Sequence, residues 1–198
     1  RKGPQVCGPS RTSPAAGSAI LCDGFLFLAD VEFDLAFIVS IDGGKPAVIA
    51  ESEAPTLKKI AAEGAVTWQA STIFPSITLP SHTSMLTGVG PAKHHIDWNN
   101  YTPIKGFVKV PTVFSLLKAA DPQAVTAMFV GKVKFRHLWL KDSLDLFDFG
   151  GPQDPAPVAG TQEIEKDKKP SQTVAKQAAA WLKEHKPKLA FIHLPDVD

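Results

Sequence analysis

Apolar runs alternate along this chain with stretches whose apolar positions recur every three or four residues, and Pro, Gly and Asp punctuate the changes. Residues 35–41 (LAFIVSI) form a continuous apolar run closed by Asp42-Gly43-Gly44, the pattern of a strand buried on both faces. Pro55 opens a helix with Leu57, Ile60 and Ala61 on one face, and Gly64 ends it. Residues 66–72 (VTWQAST) alternate as a strand does, and residues 25–33 read as a short strand interrupted by acids. The same grammar returns further on. A helix starting at Pro111 carries Phe114, Leu117 and Ala120 and stops at Asp121-Pro122, and a buried strand at 124–130 ends at Gly131. A short helix at 132–140 and a strand at 144–149 follow, then a Pro/Gly-rich and charged surface loop at 150–170. A helix at 173–185 turns Val174, Ala178, Trp181 and Leu182 inward, Pro187 ends it, and residues 189–194 (LAFIHL) form a last apolar strand.

Strands alternating with helices of this length predict an α/β fold, a mainly parallel sheet with helices on both faces. In such sheets ligands gather beyond the carboxyl ends of the strands. That topology sets Asp42, Thr78, Asp196 and Asp198 at one edge. Residues 73–100 add the chemistry: Ser76, Thr78, Ser81, Thr83, Ser84 and Thr87 crowd into a dozen positions, and Pro75 and Pro80 stiffen the backbone around Thr78. A helix starting at Pro80 would bury His82, Met85, Leu86 and Val89 and leave Thr78 just ahead of its N-terminus, where unpaired N–H groups favour negative charge. A threonine hydroxyl is a weak nucleophile until a base or a metal activates it. Strand-end carboxylates facing it could hold a divalent cation, or could simply cap helices and turns.

Composition narrows the setting. A formal net charge of +1 gives no bulk signal for nucleic acid or an anionic membrane, and the apolar stretch at 19–29 is too short to span a bilayer. Residues 1–34 are poorly defined: Arg1, Lys2 and Arg11 precede that stretch as in a secretory leader, whereas Pro4, Pro9 and Pro14 fit a disordered tail. Both ends of the chain look cut. Cys7 and Cys22 have no metal-type spacing, and a disulfide between them is compatible with the sequence without being required by it. Lys132, just past the strand end at Gly131, is either a point charge for a phosphate or a solvated lysine, and the run 163–169 reads as a solvated segment. Nothing in the sequence sets the oligomeric state.

The order of motifs carries a resemblance. Val39-Ser40-Ile41-Asp42-Gly43, Ala54-Pro55-Thr56-Leu57, Glu63-Gly64, the block from Phe74 through Thr78 to Gly88, then His94, His95, Ile96 and Asn99, and finally Leu194-Pro195-Asp196-Val197-Asp198, are together similar to the nucleotide pyrophosphatase/phosphodiesterase branch of the alkaline phosphatase superfamily. The similarity runs from about residue 35 to 198 and corresponds to the N-terminal part of that catalytic domain. It implies a phosphodiester or nucleotide pyrophosphate hydrolase with two divalent metal ions, most simply zinc, and a small-molecule phosphate ester or nucleotide as substrate. Asp42 would bind one zinc, Thr78 would bridge to it as nucleophile and form a phospho-threonine intermediate, and Asn99 would bond a phosphoryl oxygen. Asp198 would be the first ligand of the other zinc, with Asp196 the rival for that role. The resemblance also favours an extracytoplasmic location. The chain departs from the family at position 95, His in place of the usual Gly, and the family's remaining metal ligands fall beyond Asp198. A phosphomonoesterase of the same superfamily and a truncated, non-catalytic binding protein are the competing readings.

Overall fold

The computed structural model describes the backbone of residues 20–22 and 25–27 and the whole of residues 35–149 and 168–197. The leader or tail ahead of residue 20, the thiols of Cys7 and Cys22, most of the 150–170 loop and Asp198 lie outside the described residues. Three short strands, β1 (Ile20–Cys22), β2 (Phe25–Phe27) and β4 (Ala65–Val66), form a small sheet in the order β2-β1-β4. The main sheet is four parallel strands: β3 (Ala36–Ile41), β5 (Thr126–Val130), β6 (Leu146–Asp148) and β7 (Leu189–Leu194), in the order β3-β7-β5-β6.

Alternation along the central strands divides the core in two. Ala127, Phe129, Ala190 and Ile192 face one side, where Val174 and Ala178 of α6 (Ser171–His185) pack on them. Met128, Val130 and Phe191 face the other, beneath Leu79 and Leu86 of α3 (Thr78–Thr87) and Phe114 of α5 (Val113–Ala120). Helices therefore cover both faces, as expected. Each fully buried Phe or Leu among these contributes on the order of 1.5–3 kcal/mol, so the core rests on β5 and β7. A capping box holds the start of α5: Thr112 Oγ1 accepts the Ser115 N–H and Ser115 Oγ accepts that of Thr112.

Several expectations need correction. The β3 run is not buried on both faces, since Phe37 is 37% and Val39 45% exposed. Among the described residues the strand pairs only with β7, and α6 sits over β5 and β7 instead. In α2 (Pro55–Glu63) no residue is buried, and Leu57 and Ile60 remain open to solvent. The strand expected at 66–72 stops at Val66, because Thr67 Oγ1 takes the N–H of Gln69 in a local turn that competes with a ladder. The helix expected at 132–140 is a 3-10 segment, Val133–Leu138. Two short helices were not anticipated, α1 (Pro46–Glu51) and α4 (Pro91–His94).

Candidate active site

Helix α3 begins two residues earlier than Pro80 implies. Ile77 is its N-cap, Thr78 its first residue, and Pro80 falls within the first turn, where a missing N–H costs nothing. Asn99 Oδ1 accepts the N–H of Leu79 at 2.9 Å, and the N–H of Ser81 bonds Ile77 O at 3.1 Å. Of the helix start, this leaves the N–H of Thr78 itself, so the bouquet of backbone donors expected for an anion is mostly spent on the fold.

Asp42 follows the last residue of β3, and its own N–H continues the ladder to Leu194 O at 2.9 Å. Gly43, with φ of 75°, then turns the chain away in a conformation that suits glycine. One carboxylate oxygen of Asp42, Oδ2, collects three donors: the Thr78 hydroxyl at 3.1 Å, Lys132 Nζ at 2.8 Å and His193 Nε2 at 3.1 Å. Lys132 Nζ also lies 3.4 Å from Thr78 Oγ1. Burial by itself would raise the Asp42 carboxyl. The hydrogen bonds from His193 and Lys132 outweigh it and hold the group well below the usual carboxylate range. An acid so firmly ionised is a poor proton acceptor. Asp42 is thereby fitted to hold positive charge rather than to act as a general base.

Two buried histidines complete the floor. His82 donates from Nδ1 to Thr78 O at 2.7 Å and accepts the Ser40 hydroxyl at Nε2, also at 2.7 Å. It thus ties the end of β3 to the first turn of α3, and its rings neighbour Phe135 and His193 edge-on. Burial is the main cause that pushes its pKa down to about 4. His193 is likewise lowered, chiefly by burial and against the attraction of Asp42, so its contact to Asp42 at neutral pH is a hydrogen bond rather than an ion pair. A cleft of about 430 Å³ opens beside these groups, with Asp42, Thr78, Ser81 and Lys45 on its walls.

Asp42, His82 and His193 bring a carboxylate oxygen and two imidazole nitrogens within 4.8 Å of one another, a set whose atom types suit a divalent metal. Both ring nitrogens of each histidine are already hydrogen-bonded, so the charge for a cation comes from Asp42, with the Thr78 hydroxyl alongside it. A dication there would have to share the carboxylate with the Lys132 ammonium or take its other oxygen.

The residues expected from the sequence meet in part. Asp42 and Thr78 are brought into contact, and Asn99 meets the backbone of Leu79, the residue after Thr78. Asp196 is not part of this group: the exposed side chain accepts the N–H of Ser171 at 2.8 Å and so caps α6. Lys132 is not solvated; its side chain is 12% exposed and paired with Asp42, and its Nζ lies 3.4 Å from Thr78 Oγ1. Lys169 of the charged run is also buried against Asp148, at 2.8 Å. His94 bonds Ser84 Oγ and the Ile96 N–H, a structural histidine. His95 sits at φ 56°, a left-handed turn that explains why Gly is usual there, and the turn survives the replacement. The site residue that sequence reasoning missed is His193: a lone histidine in an otherwise apolar strand is a visible signal, but its place opposite Ser40, two residues before Asp42, is set by the register of the sheet.

Two solved structures resemble the chain, both of phosphonoacetate hydrolase from Sinorhizobium meliloti 1021. One is in complex with phosphonoformate (TM-score 0.57, 24% identity) and one with phosphonoacetate (TM-score 0.58, 23% identity). Each match covers 90% of this chain and 50% of the other, so the chain spans about half the length of these neighbours, and at such identity the likeness speaks for the fold alone. No curated protein sequence matches it. The sequence profile for "Type I phosphodiesterase / nucleotide pyrophosphatase" matches residues 36–198, from the first residue of β3 onward. With a match of that extent, enclosing Asp42, Thr78 and Asn99 alike, the chain belongs to the type I phosphodiesterase/nucleotide pyrophosphatase family.

Proposed function

We propose that this chain carries the nucleophile-bearing part of a hydrolase that cleaves phosphodiester or nucleotide pyrophosphate bonds through a phospho-threonine intermediate. The observation that carries the reading is the Thr78 hydroxyl, at the first position of α3, 3.1 Å from an Asp42 carboxylate held ionised. When bound, a divalent cation, which we take to be zinc, supplies a lowered pKa to a hydroxyl beside it and positive charge to set against phosphoryl oxygens. Asp42 and Thr78 would hold it, and Asp198 remains the proposed first ligand of a second zinc.

The chain's own residues do the rest. Thr78 Oγ attacks phosphorus in line, forming an O–P bond as the bond to the leaving oxygen breaks; water then cleaves the phospho-threonine. Asn99 is pinned through its carbonyl oxygen by the Leu79 N–H, which leaves its amide nitrogen as a donor beside Thr78 for a phosphoryl oxygen. Lys132, within 3.4 Å of Thr78 Oγ1, adds positive charge on the same side. His82 holds the Thr78 carbonyl and so fixes the direction of attack.

The test, made on the full-length gene product, is hydrolysis of p-nitrophenyl thymidine monophosphate with added zinc, followed by acid quenching and mass spectrometry of the peptide that contains Thr78. Zinc-dependent turnover with a phosphorylated Thr78 peptide is expected, and Thr78→Ala should lose on the order of a thousandfold or more. A Thr78→Ala protein as fast as the parent removes Thr78 from the chemistry, and a full-length parent that shows no turnover with zinc refutes the assignment.

A further inference from the structure

His193 lies in the middle of a hydrogen-bonded line that crosses three strands of the main sheet. On one side the Gly131 N–H, at the end of β5, points to His193 Nδ1 at 3.3 Å. On the other, His193 Nε2 meets Asp42 Oδ2 at 3.1 Å, at the end of β3. A backbone N–H only donates, so Nδ1 is the bare nitrogen and Nε2 carries the proton that goes to the carboxylate. The ring has little room to do otherwise. The residue is fully buried, with Phe135 at 4.4 Å and His82 at 5.2 Å between ring centroids.

The approach of Gly131 is itself enforced. A side chain there would meet Pro195 Cγ at 2.3 Å, two residues beyond His193 on β7, so only glycine lets the β5 end come close enough to reach the imidazole. Neither nitrogen of His193 is left for a metal: one is covered by a backbone donor, and the other would have to give up both its proton and Asp42. His82 is in the same position, with Thr78 O on one nitrogen and the Ser40 hydroxyl on the other. Of the three clustered groups, Asp42 alone presents its charge.

We propose that His193 is the positioning residue of Asp42, donating from Nε2 to fix the carboxylate's rotation toward Thr78, with its tautomer set by Gly131. Ligating carboxylates depend on such partners for orientation, and loss of one typically lowers metal affinity 10–100-fold. The proposal rests on Asp42 as the charge-holding group of the site, and it assigns His193 a place outside the coordination shell.

Long-range proton–nitrogen correlation spectra of the ¹⁵N-labelled chain, at mildly alkaline pH and with zinc titrated in, read the tautomer directly; loss of the signals in His193→Gln assigns them. The expected result is a protonated Nε2 and a bare Nδ1, unchanged when zinc is added. A proton on Nδ1, or an Nε2 that loses its proton as zinc binds, overturns the proposal. In a parallel chelator competition His193→Leu should bind zinc about 10–100-fold more weakly than the parent. His193→Gln, which restores an N–H near the position of Nε2, should recover most of that loss at equal melting temperature. Equal losses in both variants, or none in His193→Leu, also overturn it. A parent chain that takes up no zinc counts against Asp42 as a ligand, while the tautomer still decides the role of His193.

Discussion

Replacing Gly131 by alanine tests how the strand ends are held together at the site. The new Cβ would stand 2.3 and 2.5 Å from Pro195 Cγ and Cδ and 2.9 Å from Lys169 O. Carbon atoms rest at about 3.5–4.0 Å, so the overlap with a rigid, buried ring exceeds about 1 Å and no flexible side chain can yield. Overpacking of this kind costs about 1–3 kcal/mol. Moving the β5 end away also stretches the bonds from Gly131 N to His193 and from Lys169 N to Gly131 O, worth about 1 kcal/mol more. The sum, about 2–4 kcal/mol, is a large share of the roughly 5–15 kcal/mol that holds a domain together. At about 2–4 °C per kcal/mol for a chain of this size, the melting temperature should fall by about 10 °C. Gly90→Ala serves as the control, because nothing lies within 4 Å of its added Cβ, and it should stay within about 0.5 kcal/mol of the parent. Thermal melts followed by far-ultraviolet circular dichroism measure both. A Gly131→Ala melt within about 2 °C of the parent would refute the close-approach reasoning, since the cited costs require a larger fall.

Two further outcomes follow from features away from the nucleophile. Asp145 accepts the buried Thr126 N–H at 2.7 Å and pairs with Lys118; burial would raise its pKa, but these contacts bring it below the usual value. Its folded pKa being the lower one, its contribution is full above the unfolded value of about 3.9 and fades as pH falls through the folded value. Asp145→Asn should therefore cost about 0.5–1 kcal/mol at neutral pH, a figure discounted for partial exposure, and the two denaturation midpoints should converge below about pH 4; a gap that persists in acid contradicts this. His95→Gly should stabilise the chain by about 0.5–1 kcal/mol, the left-handed cost of about 1–2 kcal/mol less the extra freedom of glycine when unfolded, and a lower urea midpoint would count against that balance.

The parts of the fold legible in the sequence are those where one physical signal dominates. The strands at 124–130 and 189–194 are apolar apart from Thr126 and His193 because both faces are covered, and Gly131 and Pro187 mark where they meet other elements. The run at 35–41 looked the same yet lies at a sheet edge, since apolar content reports what a strand can bury and not which neighbours arrive to cover it. The apolar stripe of α2 misled for the same reason. At the site, Asp42, Thr78 and Asn99 were visible because their motifs are local. Lys132 and His193 were harder to see: one follows the end of β5 and the other lies on β7, 90 and 151 residues from Asp42, and only the register of the sheet brings them there.

That register has a consequence for biosynthesis. The strand bearing Asp42 finds its only described neighbour in the main sheet at β7, close to the other end of the described chain. At about 5–20 residues per second, a ribosome needs on the order of ten seconds after making β3 before β7 emerges. Throughout that interval β3 lacks its partner in the main sheet, so the pairing that carries Asp42 to His193 is a long-range step, of the kind that is slow to form and exposed to aggregation.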